Sequence, residues 1–399
     1  MSFLREYSLD KCDLPTLFSN VSVMLRCVTL NIYQDAKRSP LWAYCLTYIT
    51  VVAYLYTYIL STSWFVFVRC RQTGDLVSAS VIFSEGCNSC TCITKFIVMN
   101  VHRKILCELV SRYLDCDAQV VPGSRFHQNL MKHTRIVKKR ALGIFFALMG
   151  ITALFILRSQ VRPGRHLPQD IYVMYGLEPT FETPNYEMSL FLMVLCLAVC
   201  VYEIAVVKAL VVIMVGYIES QLLALSEECA NIWDDTKTSI DDNRGKDNKI
   251  INKEVELKLK NIVRFHVINI NNLNDFDEFY RFISFADFTL IGAAIISELL
   301  GKLENTFLDL PYTFLQIYID CYIGQRLSDA ISRFENAVYE CRWENFNAKN
   351  MKTVLLLLKM SQKTATVTAG GITPLNYITL MSVIKSTYSA YTTLRSSVS

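Results

Sequence analysis

Apolar residues in this chain are bunched into long windows. Leu41–Val68 runs 28 residues without a charged side chain, and about 20 apolar residues in a helix cross the hydrocarbon of a bilayer. Three more windows follow: Leu76–Met99, with Glu85 and Lys95 inside it; the short, uncharged Ala141–Leu157; and Met188–Ile218, with Glu203 and Lys208. The last three are Phe282–Leu300 (Asp287, Glu298), Leu308–Gln325 (Asp309, Asp320) and Thr364–Ile384, which continues past Lys385 to Leu394. The pattern predicts an all-α polytopic membrane protein with seven transmembrane helices. Leu257–Ile270 and Leu273–Phe285 keep apolar residues at helical spacing and predict helices that run on into the fifth span. Residues 326–352 do the same through Leu327, Ile331, Phe334, Val338 and Trp343, whereas Lys237–Asn252 is polar and predicts a disordered loop.

Basic residues orient the spans. Residues 1–40 hold five Lys and Arg and residues 101–140 hold nine. On the opposite side, 69–75 has two, 158–187 three and 301–307 one. By the positive-inside rule the N-terminus is cytosolic, and seven spans put the C-terminus outside. The organisation is a cytosolic N-terminal segment (1–40), four transmembrane helices (41–218), a cytosolic loop with helices (219–281), transmembrane helices five and six (282–327), a second cytosolic helical segment (328–363), and a last transmembrane helix with a short extracellular tail (364–399). The outer loop 158–187 holds Pro163, Pro168, Pro179 and Pro184 with four aromatic residues, which predicts an ordered lid.

Composition changes this picture little. Of 399 residues, 52% are apolar and 19% charged, and 22 Phe and 21 Tyr exclude disorder. A net charge of +4 argues for no nucleic-acid partner. The 14 cysteines are scattered, many inside apolar windows, with no disulfide framework, and the N-terminal segment does not resemble a cleavable signal peptide. The five histidines are isolated, and Cys87-x-x-Cys90-x-Cys92 has no companion pair, so it reads as small residues easing helix packing. No catalytic, cofactor or metal site is expected.

The last span is oddly polar. From Ile372 it reads ITPLNYITLMSVIKSTYSAYTTLRSSVS, and Lys385, Ser389, Thr392 and Ser396 share one helical face with Ser382 and Thr393 beside them. Two readings stand: hydroxyls bonding back to carbonyls one turn earlier, or a stripe lining an aqueous path. Lys385, with a stem long enough to snorkel, is placed in the cytosolic half or vestibule in preference to the pore wall itself.

The C-terminal third resembles the insect odorant receptor family. It carries Val338, Tyr339 and Trp343 as an aliphatic-Tyr-x-x-x-Trp segment, then Ser361-Gln362, Ala369-Gly370-Gly371, Pro374-Leu375 and Thr387-Tyr388-Ser389. Upstream, Cys321-Tyr322-x-Gly324 fits the family's sixth span, and His266 sits where a cytosolic-helix His is usual. The resemblance implies an odorant-tuned subunit of a tetrameric ligand-gated cation channel, assembled with the odorant receptor co-receptor (Orco) in the plasma membrane of an olfactory sensory neuron dendrite. It implies a small volatile odorant as ligand, permeating cations, and membrane lipid around the spans. The cytosolic helices, with His266, Tyr339 and Trp343, would form the anchor between subunits. The last span would line the pore through Lys385, Ser389, Thr392, Thr393, Ser396 and Ser397, with hydroxyls where the co-receptor has an aliphatic gate. The odorant would enter an apolar pocket in the outer half, where depth nominates Val81, Ile82, Gly150, Ala153, Phe155, Met193, Leu197, Tyr312 and Tyr318.

Three rivals remain. A gustatory receptor would carry Gln-Phe after Thr387-Tyr388, and here Ser389–Arg395 follows. A transporter needs midplane charges paired around its substrate, and Glu203 and Lys208 lie five residues apart on different helix faces. A G-protein-coupled receptor would have its N-terminus outside.

Overall fold

A computed structural model describes residues 11–34, 39–241, 248–363 and 365–398. Helix α1 (Leu14–Cys27) starts at Asp13, whose carboxylate accepts the Thr16 amide at 3.1 Å. Helix α2 (Leu41–Thr73) passes through two π-helical stretches, Leu55–Ser61 and Phe65–Arg69. Helix α3 (Leu76–Val101) is capped by Asp75, which accepts the Ser78 amide at 3.1 Å and its hydroxyl at 2.5 Å. Those two bonds hold the Asp75 carboxyl below its ordinary range. Then come α4 (Arg103–Ala118), α5 (Arg125–Val161), α6 (Asn185–Asp241), α7 (Asn248–Leu300), α8 (Asp309–Tyr339), α9 (Ala348–Ser361) and α10 (Tyr377–Val398).

Among the described residues, five helices are long and apolar enough to cross a membrane: α2, α3, α5, α6 and α7. Helices α8 and α10 are less apolar for different reasons. The polar residues of α8 (Thr313, Gln316, Asp320) are buried inside the bundle, whereas most of those of α10 are exposed, Thr379 and Thr387 excepted. The uncharged stretch 141–157 is only part of a 37-residue helix. The polar stretch 237–252 is helical at both flanks, α6 ending at Asp241 and α7 beginning at Asn248, with 242–247 outside the described residues.

Helices α6 and α7 have 57 and 53 residues, about 85 and 80 Å at 1.5 Å per residue. Both far exceed a hydrocarbon layer of about 30 Å. The surplus builds a charged end opposite the loop 158–187. There Arg125 grips Glu228 (2.8 Å) and Asp235 (2.9 Å), Arg140 and Arg326 share Glu219 (2.6 and 2.8 Å), and Arg342 holds Asp234 (2.6 Å). Helices α5 and α6 pack closely at Gly216, where an added Cβ would lie 2.6 Å from Val137 Cγ1.

The loop 158–187 docks onto α2. The Thr57 carbonyl, in the first π-helical stretch, accepts the hydroxyls of Thr62 (3.2 Å) and Tyr172. The Tyr56 hydroxyl donates to the Tyr175 carbonyl at 2.5 Å. A π-helical stretch breaks the regular ladder and frees its carbonyls for such partners. Leu167, Tyr172 and Met174 are buried with Val81 and Ile82 beneath the loop.

Before α10 the chain makes a tight hairpin. Strand β1 (Thr368–Ala369) pairs antiparallel with β2 (Thr373–Pro374), Thr368 opposite Pro374. Gly370 and Gly371 turn it at φ +66° and +75°, a region that side chains disfavour. The hairpin is tied to α7: Thr368 N–H donates to Asp277 at 2.6 Å, and Gly370 N–H to the Arg281 carbonyl at 2.9 Å. It is also pressed on α8, where a Cβ at Gly324 would meet the Leu375 carbonyl oxygen at 2.0 Å. Asn376 then opens α10, accepting the Thr379 amide at 2.8 Å.

Candidate functional site

A small cavity lies beneath the loop, between α2, α3, α5, α6 and α8. Four residues nominated by depth line it: Phe155, Met193, Leu197 and Tyr312. Depth along a helix does not fix azimuth, and the other five are placed elsewhere. Val81 and Ile82 are buried in the packing under the loop, and Gly150 and Ala153 are exposed on the outer face of α5. Tyr318 is partly exposed and stacks on Tyr322, ring centroids 5.9 Å apart.

Sequence reasoning missed the polar wall of this cavity. Glu85 and Asn88 project from α3 and Asp309 from the start of α8, with Tyr58 and Pro168 completing the rim. Behind Asn88 sits the fully buried Glu298, whose Oε1 accepts the Asn88 amide (3.2 Å) and the Thr313 hydroxyl (2.6 Å). Among the described residues, no basic side chain forms an ion pair with Glu85, Glu298 or Asp309. The guanidinium of Arg158 lies over the Phe307 ring instead, 4.6 Å from its centroid.

A second polar layer lies deeper on the same helices. Lys95 (α3), Lys208 (α6), Asp287 (α7) and Asp320 (α8) are all buried. Lys95 pairs with Asp287. Lys208 reaches Asp320 at 2.5 Å and Asp287 at 3.2 Å, and the Tyr280 hydroxyl at 3.4 Å closes the group. Each member follows or precedes a cavity-layer counterpart by 10 or 11 residues (Glu85 to Lys95, Leu197 to Lys208, Asp287 to Glu298, Asp309 to Asp320), about 15 Å along each helix. None of the four lines the cavity. Lys208 therefore has buried acidic partners, but they are Asp287 and Asp320; Glu203 instead accepts from the Cys92 thiol at 3.0 Å. A signal for this arrangement was present in α8, where Asp309, Thr313, Gln316 and Asp320 recur at i, i+4, i+7 and i+11 on one face.

Helix α10 packs on α7 and α8 through Leu380, Val383 and Ile384 against Ile291, Ile295, Ile317 and Cys321. Its other face is bare. Lys385, Ser389, Thr392, Thr393 and Ser396 are all exposed in the single chain, and the side chain of Ser397 lies outside the described residues. The hydroxyls do bond back along the helix: Thr392 and Thr393 donate to the Ser389 carbonyl (2.8 and 3.0 Å) and Ser396 to that of Thr393 (2.8 Å). Back-bonding satisfies one valence of each hydroxyl and leaves its lone pairs facing outward.

Of the three anchor residues, Tyr339 and Trp343 are exposed, and His266 is inside the subunit, 4% exposed and stacked on Phe334 at 4.8 Å. Among the described residues no three His, Cys, Asp or Glu side chains are grouped to hold a metal ion.

The sequence profile of the family described as 7tm Odorant receptor matches residues 75–300 and 307–388. No curated protein matches the sequence. The fold is similar to that of the insect olfactory receptor OR5 from Machilis hrabei, with a TM-score of 0.73 at 15% identity over 96% of this chain and 98% of that one. The same receptor in complex with eugenol gives 0.67 at 13% identity, with 96% and 98% covered. This is the seven-helix architecture of a receptor family, not of an enzyme family. The family match takes in most of the cavity wall, the buried charge layer and the start of the hydroxyl face, and the chain is a multi-pass membrane protein belonging to the odorant receptor family.

Proposed function

We propose that the chain is the ligand-tuned subunit of a heteromeric, ligand-gated, nonselective cation channel. The observation that carries this reading is α10, a membrane-length helix whose hydroxyl face is exposed in the single chain at Ser389, Thr392, Thr393 and Ser396. A row of hydroxyls at that depth is stable against water or partner helices, not lipid. Copies of α10 from several subunits, facing one axis, supply both. The co-receptor subunit is the proposed partner, with Tyr339 and Trp343 exposed at the charged end for contact between subunits.

The ligand is a small volatile molecule held in the cavity largely by shape and dispersion along Phe155, Met193, Leu197 and Ile204. The similarity to a receptor solved with eugenol supports a ligand of that size. Gating follows from geometry. Helices α7 and α8 each carry one end in the cavity wall or just behind it and, further along, a seat for α10. A ligand that binds the open arrangement better than the closed one shifts the balance between them, and one that binds both equally gates nothing. The N-terminus and the charged end are cytosolic in this reading, and the loop 158–187 is extracellular. The dendritic membrane of an olfactory neuron is the proposed location.

Co-expression with the co-receptor and recording of odorant-evoked current tests the reading. Volatile-evoked current that requires this chain is expected. Silence across a broad volatile panel, or an N-terminal tag reached by antibody on intact cells, overturns it.

A further inference from the structure

We propose that the cavity is built for a lipophilic amine, with Glu85 and Asp309 as its head-group partners. The inference rests on the cavity being the ligand site and adds the chemical class of the ligand. Glu85 Oε1 and Asp309 Oδ2 both belong to cavity-lining residues and are wholly buried, and neither makes a close hydrogen bond, although the Gln169 side chain lies near enough to Glu85 to act on it as a donor. Asn88 Oδ1 and the Tyr312 hydroxyl on the same wall are likewise partnerless, and so is Oε2 of the fully buried Glu298 behind it. Buried polar atoms are satisfied in nearly all native structures, so a group of acceptors left open around a cavity marks the place of a missing donor.

The donor's charge follows from the company these atoms keep. Glu85, Glu298 and Asp309 are close enough to repel one another when ionised, and carboxylates sharing a site cannot all ionise without a cation among them. Arg158 is the nearby basic group: its charge is felt at Asp309, but its guanidinium lies over Phe307 and forms no ion pair with either lining carboxyl. Every other neighbour in the cavity is neutral, and three of them, Tyr58, Phe155 and Tyr312, present aromatic rings. Carboxylate oxygens beside aromatic faces are the combination that holds an ammonium group, by charge-assisted hydrogen bonds and cation–π attraction. The opposite wall, through Met193, Leu197 and Ile204, takes the hydrocarbon body. A neutral amine entering from the membrane takes its proton from one carboxyl, and an ammonium ion entering from water brings its own, the carboxyl's proton then leaving to solvent. Either route ends in the same pair.

The test uses three probes of nearly equal size, 2-phenylethylamine, 2-phenylethanol and propylbenzene, applied to the full chain co-expressed with the co-receptor. The amine is expected to activate at a concentration at least tenfold lower than the alcohol, with propylbenzene weakest. Glu85→Gln and Asp309→Asn, which keep shape and remove charge, are each expected to abolish the amine's advantage over the alcohol. Equal potency of amine and propylbenzene, or parallel loss of all three responses in both variants, overturns the proposal. Ligand-induced thermal stabilisation of the purified receptor runs beside the currents. Stabilisation by the amine without current keeps this inference and sinks the channel reading. Current from propylbenzene alone keeps the channel reading and sinks this inference. Neither stabilisation nor current with any probe sinks both.

Discussion

Two buried polar layers lie about 15 Å apart along α3, α7 and α8, and they are balanced differently. In the deeper layer two lysines meet two aspartates, and Lys95 and Lys208 each have a carboxylate within hydrogen-bonding distance. In the shallower layer three carboxyls share a wall with Asn88, Thr313 and Tyr312, and none has a basic partner among the described residues. Balance is what a structural joint requires, since a buried ion is tolerated only when another ion and further hydrogen bonds replace its water. Imbalance is what a site requires, since something from outside must complete it. The same residue types, read with their partners, thus separate a tie between helices from a place for a ligand.

Breaking the deeper layer has the largest effect. Lys208→Met leaves Asp320 buried without a cation, a loss of about 3–5 kcal/mol when one member of a buried pair is removed. Thermal unfolding of the purified receptor is expected to show collapse of the transition, with little protein delivered to the surface. Adding Asp320→Leu removes the orphaned charge and leaves Lys95 with Asp287, so most of the stability returns. A double variant no better than the single one would show that the layer is more than a set of balanced charges. Next in size is Gly324→Ala, which drives a methyl group into the Leu375 backbone. Overpacking of this kind costs about 1–3 kcal/mol, and both layers stay intact. Currents are expected to fall more than ligand-induced stabilisation does, because the clash is at the seat of α10 and not in the cavity.

Glu298→Gln sharpens the comparison from the other side. It keeps an acceptor for Asn88 and Thr313 and removes a buried ionisable group that no cation pairs with, so the melting temperature is expected to hold or rise. A large fall would mean that the shallower layer is also a structural joint. Lys385→Ala is smallest in stability, since the side chain is exposed. Its expected readout is permeation: lower selectivity against Ca²⁺, as a positive charge leaves the ion path. Unchanged conductance and Ca²⁺ permeability would assign Lys385 to snorkelling away from the axis.

What was legible in the sequence was whatever recurs within one helix. Leu41–Val68 declares a membrane span by length alone, and the stripe Lys385, Ser389, Thr392, Ser396 declares a face by period alone. The glycines of Ala369-Gly370-Gly371 turned out to have a local reason as well, since both sit at positive φ in the hairpin that precedes α10. Partnerships between helices were not legible. Within one sequence window Lys208 has only Glu203, five residues away, as an acidic neighbour on its span; its actual partners are 79 and 112 residues distant. The cavity shows the same limit. Phe155 and Ala153 are equally deep and two residues apart on α5, yet one faces the cavity and the other the outside. Helical phase decides between them, and an uninterrupted apolar window gives phase no marker.

The uninterrupted run of α7 has a consequence for how such a chain can change over generations. One helix carries Asp277 against the hairpin, Asp287 in the charge layer and Glu298 behind the cavity. Each inserted or deleted residue turns everything beyond it by roughly 100°, so a single-residue slip between these points would aim at least one of them into lipid. Substitution preserves phase and slippage does not. Lineages of this receptor can therefore diverge widely in side chains while the count of residues from 277 to 298 stays fixed, and a comparison of chain lengths in this segment would read out mechanical constraint where a comparison of identities would not.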